Sequence, residues 1–262
     1  MTAHNIPPKT IIITGASSGI GQELAKYYAQ KGITLGLIGR NQTRLDQTAT
    51  ICREQGAHVI TKIIDVRKRE ELITWMKTID DQYPVDLLIA NAGISAGTGN
   101  NTTSESPEQI HAIFDINLYG VLNTIEALQA RMIERGHGQI ALLGSLAGFK
   151  GWPGAPAYCA SKAAVKTYGE ALRGALRKTG VRVNVICPGF IKSAITDAND
   201  FPMPFLMNAD KAAQIIAKGL HQNKGQIAFP IATKGIVWLS MVIPYRLSEF
   251  LLSFSPSKKH QS

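Results

Sequence analysis

TIIITGASSGIG, residues 10–21, is the stretch of sequence that decides the fold. It joins an apolar run of strand length to a turn with three glycines, which opens directly into a helical pattern. Gly15 permits a tight turn, Gly19 lets backbone N–H groups approach a ligand closely, and Gly21 lets the helix pack near the strand. The unpaired N–H groups and positive dipole end of that helix suit a pyrophosphate. The stretch therefore predicts a nucleotide-binding turn.

Apolar runs of strand length alternate with amphipathic helical patterns along the chain. Most of the runs are continuous Ile, Leu and Val, which is typical of strands covered on both faces. The helical patterns include Gln22–Lys31 and Asn41–Gln55, each closed by a glycine, Gly32 or Gly56. This alternation predicts an α/β protein with a doubly wound parallel sheet, a Rossmann fold. The predicted strands are Thr10–Thr14, Thr34–Ile38, His58–Ile64, Val85–Ala90, Gln139–Leu143, Arg182–Ile186 and Gln226–Phe229.

Length and composition predict one catalytic domain with a short tail. The chain has 262 residues, 45% of them hydrophobic and 18% charged, and no linker or repeat divides it. We place the domain at about residues 6–230 and an apolar, amphipathic tail at 231–262. The net charge of +9 suits nucleic acid, an anionic membrane or a phosphorylated ligand. Because the densest basic cluster is only Arg67-Lys68-Arg69, we do not expect nucleic-acid binding.

The cysteines, the histidines and the N-terminal residues bear on whether the protein is disulfide-rich, metal-binding or secreted. The three cysteines have no CxxC spacing, and no two histidines have ligand spacing, so neither a disulfide framework nor a metal site is predicted. The first ten residues, MTAHNIPPKT, lack the charged-then-apolar pattern of a signal peptide. We therefore expect a cytoplasmic protein.

The end of the second predicted strand bears on the choice of cofactor. In dinucleotide-binding folds an acid at this point holds a ribose 2′-hydroxyl, whereas an arginine accommodates a 2′-phosphate. Here the strand ends at Gly39 and is followed by Arg40-Asn41, with no acid to repel a phosphate. A guanidinium can hold a phosphate in bidentate fashion. The pattern favours NADP(H) over NAD(H), unless Arg40 is only a surface residue.

Tyr158 and Lys162 form the second chemically informative pattern. The segment Ala157–Ala164 consists of good helix formers, and residues four apart lie on one face of a helix. Lys162 would place an ammonium beside the Tyr158 phenol, favour the phenolate and lower the phenol's pKa. Such a phenol can give and take protons near neutral pH. Alone, the pair could equally be a half-buried tyrosine beside a solvated lysine.

With these motifs in hand, the sequence resembles the short-chain dehydrogenase/reductase family in its short, NAD(P)(H)-dependent form. The resemblance is collinear from about Lys9 to Phe229. Its motifs are the glycine-rich turn at Thr14–Gly21, Asn91-Ala92-Gly93, Asn117, Ser145, Tyr158 with Lys162, and Pro188-Gly189. One departure is that Ser193 stands where the family usually has a threonine, which preserves the hydroxyl.

The resemblance implies a role for each matched residue. Tyr158 would be the general acid or base, Ser145 would hydrogen-bond the carbonyl oxygen, and Lys162 would hold the nicotinamide ribose. Asn117 would anchor a water that links Lys162 to solvent, although alone it could be a core amide. The cofactor would be bound by Gly15, Ser17, Ser18, Gly19, Ile20, Gly21, Arg40, Asn41, Asp65, Val66, Asn91, Ala92, Gly93, Tyr158, Lys162, Pro188, Gly189, Ile191 and Ser193. Homo-oligomerisation through the helices of Asn117 and Tyr158 is also implied.

Two loops are predicted to contact the substrate. Leu146–Ala157 carries Phe149, Trp152 and Pro153, and Ile195–Met207 is unusually apolar for a loop. We predict that the second is a mobile lid over an apolar ketone, aldehyde or alcohol. Packing on the body of the protein or on another subunit is the alternative. The apolar lid residues are Phe201, Pro202, Met203, Pro204, Phe205, Leu206 and Met207.

The tail Gly235–Phe254 is rich in apolar residues, with basic residues around it. Pro244 interrupts it and Arg246 and Glu249 lie within it, so it is a poor membrane-spanning candidate. An apolar face recurs at helical spacing through Leu247, Phe250, Leu251 and Phe254. Contact with an anionic membrane surface, cover over the substrate mouth and ordinary packing all remain open.

Together these observations predict an NADP(H)-dependent oxidoreductase that transfers a hydride between nicotinamide and the carbonyl or alcohol carbon of an apolar small molecule. The alternative is a regulatory or scaffold protein that binds nucleotide without turnover. The complete set of Asn117, Ser145, Tyr158 and Lys162 argues against that alternative, because a scaffold needs none of them.

Overall fold

The computed structural model describes residues 7–98, 105–193, 196, 203–244 and 246–247. Within these residues seven strands form one parallel sheet in the order β3-β2-β1-β4-β5-β6-β7. The predicted doubly wound α/β architecture is confirmed. The strands are β1 (Thr10–Thr14), β2 (Thr34–Gly39), β3 (His58–Ile63), β4 (Leu87–Ala90), β5 (Gly138–Leu143), β6 (Val181–Pro188) and β7 (Gln226–Phe229).

Helices cover both faces of the sheet. A π-helical segment, Asp115–Tyr119, joins two of them, and a 3₁₀ turn, Leu146–Gly148, follows β5. The α-helices are α1 (Gly19–Tyr28), α2 (Gln42–Glu54), α3 (Arg69–Gln82), α4 (Pro107–Phe114), α5 (Gly120–Arg135), α6 (Pro156–Ala175), α7 (Ala209–His221) and α8 (Ile231–Val242).

The apolar runs divide their side chains between two cores. Ile11 and Ile13 of β1 join the core on the side of α1, α2 and α7, whereas Ile12 joins the core formed with α3, α5 and α6. Successive side chains of a strand point to opposite faces, so a strand covered on both sides needs apolar residues at every position. All five residues of β1 are buried.

The predicted elements agree with the structure except at some of their ends. β1 and β7 have the predicted bounds, but β4 begins at Leu87 rather than at Val85, and β6 extends to Pro188. The helix predicted at Gln22–Lys31 instead runs from Gly19 to Tyr28. Its closing glycine, Gly32, lies in the following turn with φ of +86°, so it does not cap the helix.

The sheet brings the carboxyl ends of its strands to one edge. β1 pairs with β2 on one side and with β4 on the other, so the chain reverses its direction of winding at β1. Open α/β sheets bind ligands beyond the carboxyl ends of the strands at this reversal. The glycine-rich turn after β1 lies there, together with the residues that follow β4, β5 and β6.

β7 is followed at once by the last helix described. α8 begins at Ile231, two residues after the strand, and ends at Val242, just before Pro244. None of the described helices has the length and apolar character that crossing a bilayer requires. Phe250, Leu251 and Phe254 of the predicted apolar face lie outside the described residues.

Candidate active site and cofactor cleft

The turn after β1 can be built only with glycine at its key positions. Gly15 and Gly19 have φ of +70° and +55°, which L side chains rarely adopt. A Cβ on Gly21 would lie 2.3 Å from the backbone oxygen of Gly15, so this glycine sets how closely α1 packs on the turn. The N-terminus of α1, with no side-chain cap from Ser18, is therefore directed into the cleft.

Asn91, at the end of β4, fastens this turn to the centre of the sheet. Its side-chain nitrogen donates to the backbone oxygens of Thr14, at 2.9 Å, and Gly15, at 3.2 Å. Its own backbone N–H donates to the Thr14 hydroxyl at 3.1 Å. Asn91 thus holds the cleft in shape, and Ala92 and Gly93 follow it along the cleft wall.

Arg40 lies at the end of the cleft near α2, with its side chain 57% exposed. The prediction that no acid is near it needs correction, because Asp65 Oδ2 lies 3.9 Å from Arg40 Nη1. Asp65 follows the end of β3. This strand pairs with β2, although helix α2 separates the two strands in the sequence. The Arg67 side chain binds this carboxylate at 2.7 Å and holds its pKa below the ordinary value. Asn41 caps α2 by accepting from Arg44 N–H at 2.9 Å.

A single cavity of about 750 Å³ runs from the glycine-rich turn to the region beyond β5 and β6. Every predicted site residue contributes to its lining except Gly21 and Asn117. Other residues also line it, among them members of the two predicted substrate loops and of the predicted tail: Gly39, Arg44, Ile94, Ile116, Leu143, Gly144, Leu146, Ala147, Gly154, Ala155, Cys159, Phe190, Thr196, Thr233, Ile236 and Val237.

Ser145 and Tyr158 meet in this cavity. Ser145 follows β5 and begins the 3₁₀ turn, where its hydroxyl accepts from Ala147 N–H at 3.1 Å. Tyr158 lies in the first turn of α6, a helix opened by Pro156, and its hydroxyl shares a hydrogen bond with Ser145. Two hydroxyl groups from distant parts of the sequence therefore converge on one point.

Lys162 lies one helical turn beyond Tyr158 and is 3% exposed. Its Nζ donates to the backbone oxygen of Leu143 at 2.8 Å and lies 6.0 Å from the centroid of the Tyr158 ring. Burial lowers the pKa of this ammonium to about 8, because the charged form loses its hydration.

The prediction that Lys162 lowers the Tyr158 pKa is wrong. Burial raises the pKa of the phenol above 10, and only the hydrogen bond with Ser145 opposes that shift. The helical spacing places the two groups on one face, as predicted. The ammonium, however, donates to the end of β5, and burial is the largest influence on the pKa of the phenol.

Asn117 holds three structural elements together and does not line the cavity. Its Oδ1 accepts from Ile94 N–H at 2.8 Å, and its Nδ2 donates to Ile94 O at 3.0 Å and to the Ser161 hydroxyl at 3.2 Å. It lies in the π-helical segment, a form common at functional sites. A Cβ on Gly93 would lie 3.1 Å from Asn117 Oδ1 and 3.4 Å from Lys162 Nζ. Asn117 is therefore a neighbour of the reactive groups.

The segment after β6 closes the cleft from the other side. Pro188, Gly189, Ile191 and Ser193, which the resemblance assigns to the cofactor site, all line the cavity. The buried Thr196 hydroxyl accepts from Ser193 N–H and donates to Ile191 O, both at 2.9 Å. Thr196 lies in the predicted lid Ile195–Met207, but the sequence analysis did not single it out, because its partners are three and five residues away in an irregular segment.

The substrate side of the cavity differs from the predicted two loops. Trp152 and Pro204 line it, but Phe149 does not, although it packs in the same apolar cluster as Trp152, and Phe205 and Leu206 are 54% and 45% exposed. Met207 is fixed by hydrogen bonds to Phe190 and Lys192. Ile195, Phe201 and Pro202 of the predicted lid lie outside the described residues.

Helix α8 forms one wall of the cavity. Cover over the substrate mouth was one of the three roles that the sequence analysis left open for the tail. Thr233, Ile236 and Val237 line the cavity, and Val237 packs against Leu146 and Cys187. Part of the predicted tail therefore covers the substrate side.

Comparisons with known proteins identify the family of the chain. A family model described as short chain dehydrogenase matches residues 9–201. An uncharacterized oxidoreductase of Myxococcus xanthus is 36% identical over 244 residues, which cover 93% of this chain and 92% of the relative. A short-chain dehydrogenase from Sphingobium yanoikuyae in complex with NADPH has a TM-score of 0.78 at 26% identity, over 94% of this chain and 96% of that one.

A short-chain dehydrogenase/reductase from Burkholderia phymatum in complex with NAD has a TM-score of 0.82 at 24% identity. This similarity covers 99% of the present chain and 100% of the other, and it supports the fold. The family match spans well over half of the chain and includes the glycine-rich turn, Ser145, Tyr158 and Lys162. The chain therefore belongs to the short-chain dehydrogenase family, oxidoreductases that use a nicotinamide cofactor.

Proposed function

We propose that the protein is an NADP(H)-dependent carbonyl reductase or alcohol dehydrogenase for an apolar small molecule, with Tyr158 as general acid and base. The observation that carries the proposal is the convergence of Ser145, Tyr158 and Lys162 in one cavity with the glycine-rich turn. A nucleotide-binding scaffold would need the turn but not the three reactive side chains.

The residues of the cleft fit a dinucleotide. Positive φ at Gly15 and Gly19 and the N-terminus of α1 provide a place for a pyrophosphate. Arg40 and Arg44 line the same end of the cavity and would hold a 2′-phosphate. Asp65, the acid closest to this place, is paired with Arg67, which reduces its repulsion of a phosphate. These contacts support NADP(H) over NAD(H).

When bound, the reduced nicotinamide supplies the hydride that the carbonyl carbon accepts. In that step Ser145 donates a hydrogen bond to the carbonyl oxygen and stabilises its developing negative charge. The Tyr158 hydroxyl gives its proton to the same oxygen, which completes the alcohol. In the oxidation of an alcohol, Tyr158 takes the proton back.

Lys162 and Asn117 act behind this pair of hydroxyls. We propose that Lys162 Nζ, which lies between Leu143 O and the Tyr158 ring, contacts the ribose of the bound cofactor and supports the phenolate electrostatically. Asn117 binds both Ile94 and Ser161 of helix α6 and so fixes these two parts of the chain. A water held beside Asn117 would reprotonate Lys162.

The substrate is proposed to be apolar because the wall opposite the glycine-rich turn is apolar. Trp152, Phe190, Pro204, Ile236 and Val237 line the same cavity as Tyr158. Burial of apolar ligand surface against such groups is favourable at about 25 cal/mol per Å². A small ketone or aldehyde with an apolar body fits this wall better than a sugar or an amino acid.

Assembly into a homo-oligomer is also proposed, through the helices near the reactive residues. Ile110 of α4 and Tyr119 of the π-helical segment are 37% and 57% exposed, although both are large and apolar in part. Burial of such side chains between copies would favour association. Light scattering of the purified chain measures the number of subunits.

The test is NADPH consumption with a panel of ketones and aldehydes, together with mass spectrometry of ligands that copurify with the protein. We expect turnover with apolar carbonyl compounds and NADP(H) among the copurified ligands. Bound nucleotide without turnover on any member of the panel, at any pH between 6 and 9, would favour the scaffold alternative.

A further inference from the structure

The outward side of α8 is apolar where a surface helix is expected to be polar. Trp238, Leu239 and Val242 are 59%, 56% and 57% exposed, and Ile231 is 85% exposed. On the opposite side Val237 is only 4% exposed and packs against the body of the protein. A helix that is apolar all round is normally covered on every side. The outward side of α8 therefore needs a partner.

The charges near this surface select the kind of partner. From Lys211 to Ser248 the sequence has five basic residues and no acidic one. All five are exposed, and two of them, Lys234 and Arg246, lie within α8 and just after it. A second copy packed on the same surface would bring Lys234 and Arg246 toward their own equivalents, and α8 itself has no carboxylate to pair with them. An anionic lipid surface pairs with them directly.

The side chains themselves suit the boundary between lipid and water. Tryptophan has a large apolar ring with one N–H donor and favours this boundary. Leu239 and Val242 would enter the acyl region, while the Lys234 stem reaches back toward the headgroups. α8 is too short to cross a bilayer, so the contact is peripheral.

We propose that the outward face of α8, formed by Ile231, Trp238, Leu239 and Val242, binds an anionic lipid surface. The inward face of the same helix, through Thr233, Ile236 and Val237, lines the substrate side of the cavity. A lipid surface seated on α8 therefore lies one helix away from the reaction site, where apolar molecules dissolved in the lipid are concentrated.

The test is cosedimentation of the full chain with vesicles of phosphatidylcholine, either alone or with about 30 mol% phosphatidylserine. We expect binding to the anionic vesicles at least tenfold stronger than to the neutral ones, and weaker binding at about 0.5 M salt because of screening. The triple variant Trp238→Ser, Leu239→Ser, Val242→Ser should lose at least tenfold in binding to anionic vesicles. Lys234→Glu with Arg246→Glu should remove the preference for anionic lipid.

Tyr27→Ser is the matched control, because Tyr27 is an exposed aromatic residue on α1, 44% exposed, that lies outside α8. It should bind vesicles as the unmodified chain does. Equal binding by the unmodified chain and the triple variant, or no binding by either, would overturn the proposal. A change in oligomeric state of the triple variant without any vesicle binding would assign the surface to a second copy and would also overturn it.

The lipid contact and the proposed reaction can fail separately. NADPH turnover of a water-soluble ketone by the triple variant should match that of the unmodified chain, because the substituted side chains face outward. Vesicle binding without turnover would refute the proposed reaction and leave the lipid contact supported.

Discussion

Lys162 Nζ donates to the backbone oxygen of Leu143 at 2.8 Å, while the ring of Tyr158 lies 6.0 Å away. The ammonium is therefore fixed to the end of β5, one residue from the Gly144-Ser145 pair that leads into the site. In this position it is buried, and burial lowers its pKa to about 8. The positive charge of Lys162 is consequently lost only slightly above neutral pH.

This relationship predicts how kcat/KM for carbonyl reduction depends on pH. Because the Lys162 pKa is lowered, the cation is present below about pH 8 and is lost as the pH rises through that value. We therefore expect kcat/KM to fall above about pH 8, since this parameter reports the ionisation of the free enzyme. Tyr158 stays protonated across this range because burial raises its pKa.

The variant Lys162→Arg tests whether loss of the Lys162 charge causes the fall in kcat/KM above about pH 8. A guanidinium keeps its charge, so whatever activity the variant retains should not decline between pH 8 and 10. Lys166→Arg, one turn further along α6, is the control and should keep the decline. Were the Lys162→Arg profile to fall like that of the unmodified enzyme, another group would have to titrate there.

Tyr158→Phe removes the proton donor without altering the ring that packs in α6. We expect kcat to fall by about 10³-fold, within the range that a positioned general acid contributes. NADPH binding, followed by fluorescence, should change little. Tyr168→Phe is the control: Tyr168 lies on the same helix, is 37% exposed, and should leave kcat unchanged. Retention of more than a tenth of the activity in Tyr158→Phe would remove the phenol from the mechanism.

Arg40→Ala tests the choice of cofactor. Loss of a bidentate guanidinium contact to a phosphate costs about 1.5–3 kcal/mol, so the KM for NADPH should rise about tenfold or more. The KM for NADH should not rise, because NADH has no 2′-phosphate. Arg177→Ala, an exposed substitution after α6, is the control. If Arg40→Ala keeps the preference for NADPH over NADH, Arg40 does not determine that preference. Arg44 would then be the next arginine to replace.

The layout of the fold could be predicted because its signals are local. A continuous apolar run such as Ile11–Ile13 identifies a strand covered on both faces, and glycines at Gly15 and Gly19 identify the turn that follows. The spacing of Tyr158 and Lys162 likewise predicts one helical face. Each of these inferences depends on residues within a few positions of one another.

Contacts between distant parts of the sequence could not be predicted in this way. Asp65 approaches Arg40 because β3 lies beside β2, and α8 reaches the cavity because β7 ends next to β6. The direction of Lys162 Nζ depends on the position of Leu143 O, nineteen residues earlier. The degree of burial, which controls the pKa of both Tyr158 and Lys162, follows from the packed structure alone.

Thr233 is expected to bind part of a ligand. Its Oγ1 is buried and has no hydrogen-bond partner among the described residues, and the residue lines the cavity. An orphaned hydroxyl costs about 1–3 kcal/mol, so the near-isosteric Thr233→Val should raise the free energy of unfolding by about 1 kcal/mol. It should also raise the KM for substrate or cofactor about fivefold, through loss of one hydrogen bond.

Urea unfolding and steady-state kinetics measure the two effects of Thr233→Val. Ser240→Ala is the control on the same helix, because the Ser240 hydroxyl donates to Val237 O at 2.6 Å and is already satisfied. That variant should lose stability rather than gain it. If Thr233→Val gains stability and leaves both KM values unchanged, Thr233 has no part in ligand binding.

Glu105 caps the helix that contains Tyr158. Its Oε2 accepts from Ala157 N–H at 2.8 Å, its Oε1 is buried without a partner in the described part of the chain, and the residue is 6% exposed. Burial raises the pKa of this carboxyl, so protonation favours the folded state. The resulting stability is complete below the unfolded pKa of about 4.5 and is lost as the pH rises through the higher folded value.

Glu105→Gln keeps an acceptor for Ala157 N–H and removes the ionisation. Relative to the unmodified chain, its free energy of unfolding should therefore rise between pH 4.5 and pH 7.5, because only the carboxyl loses its favoured protonated form over this range. Urea unfolding at the two pH values measures the difference. Glu108→Gln is the control, because Glu108 is exposed on α4 and its pKa is lowered, so that substitution should not give the gain. A constant difference between Glu105→Gln and the unmodified chain across this range would mean that the carboxyl does not titrate there, and that it caps α6 as a carboxylate throughout.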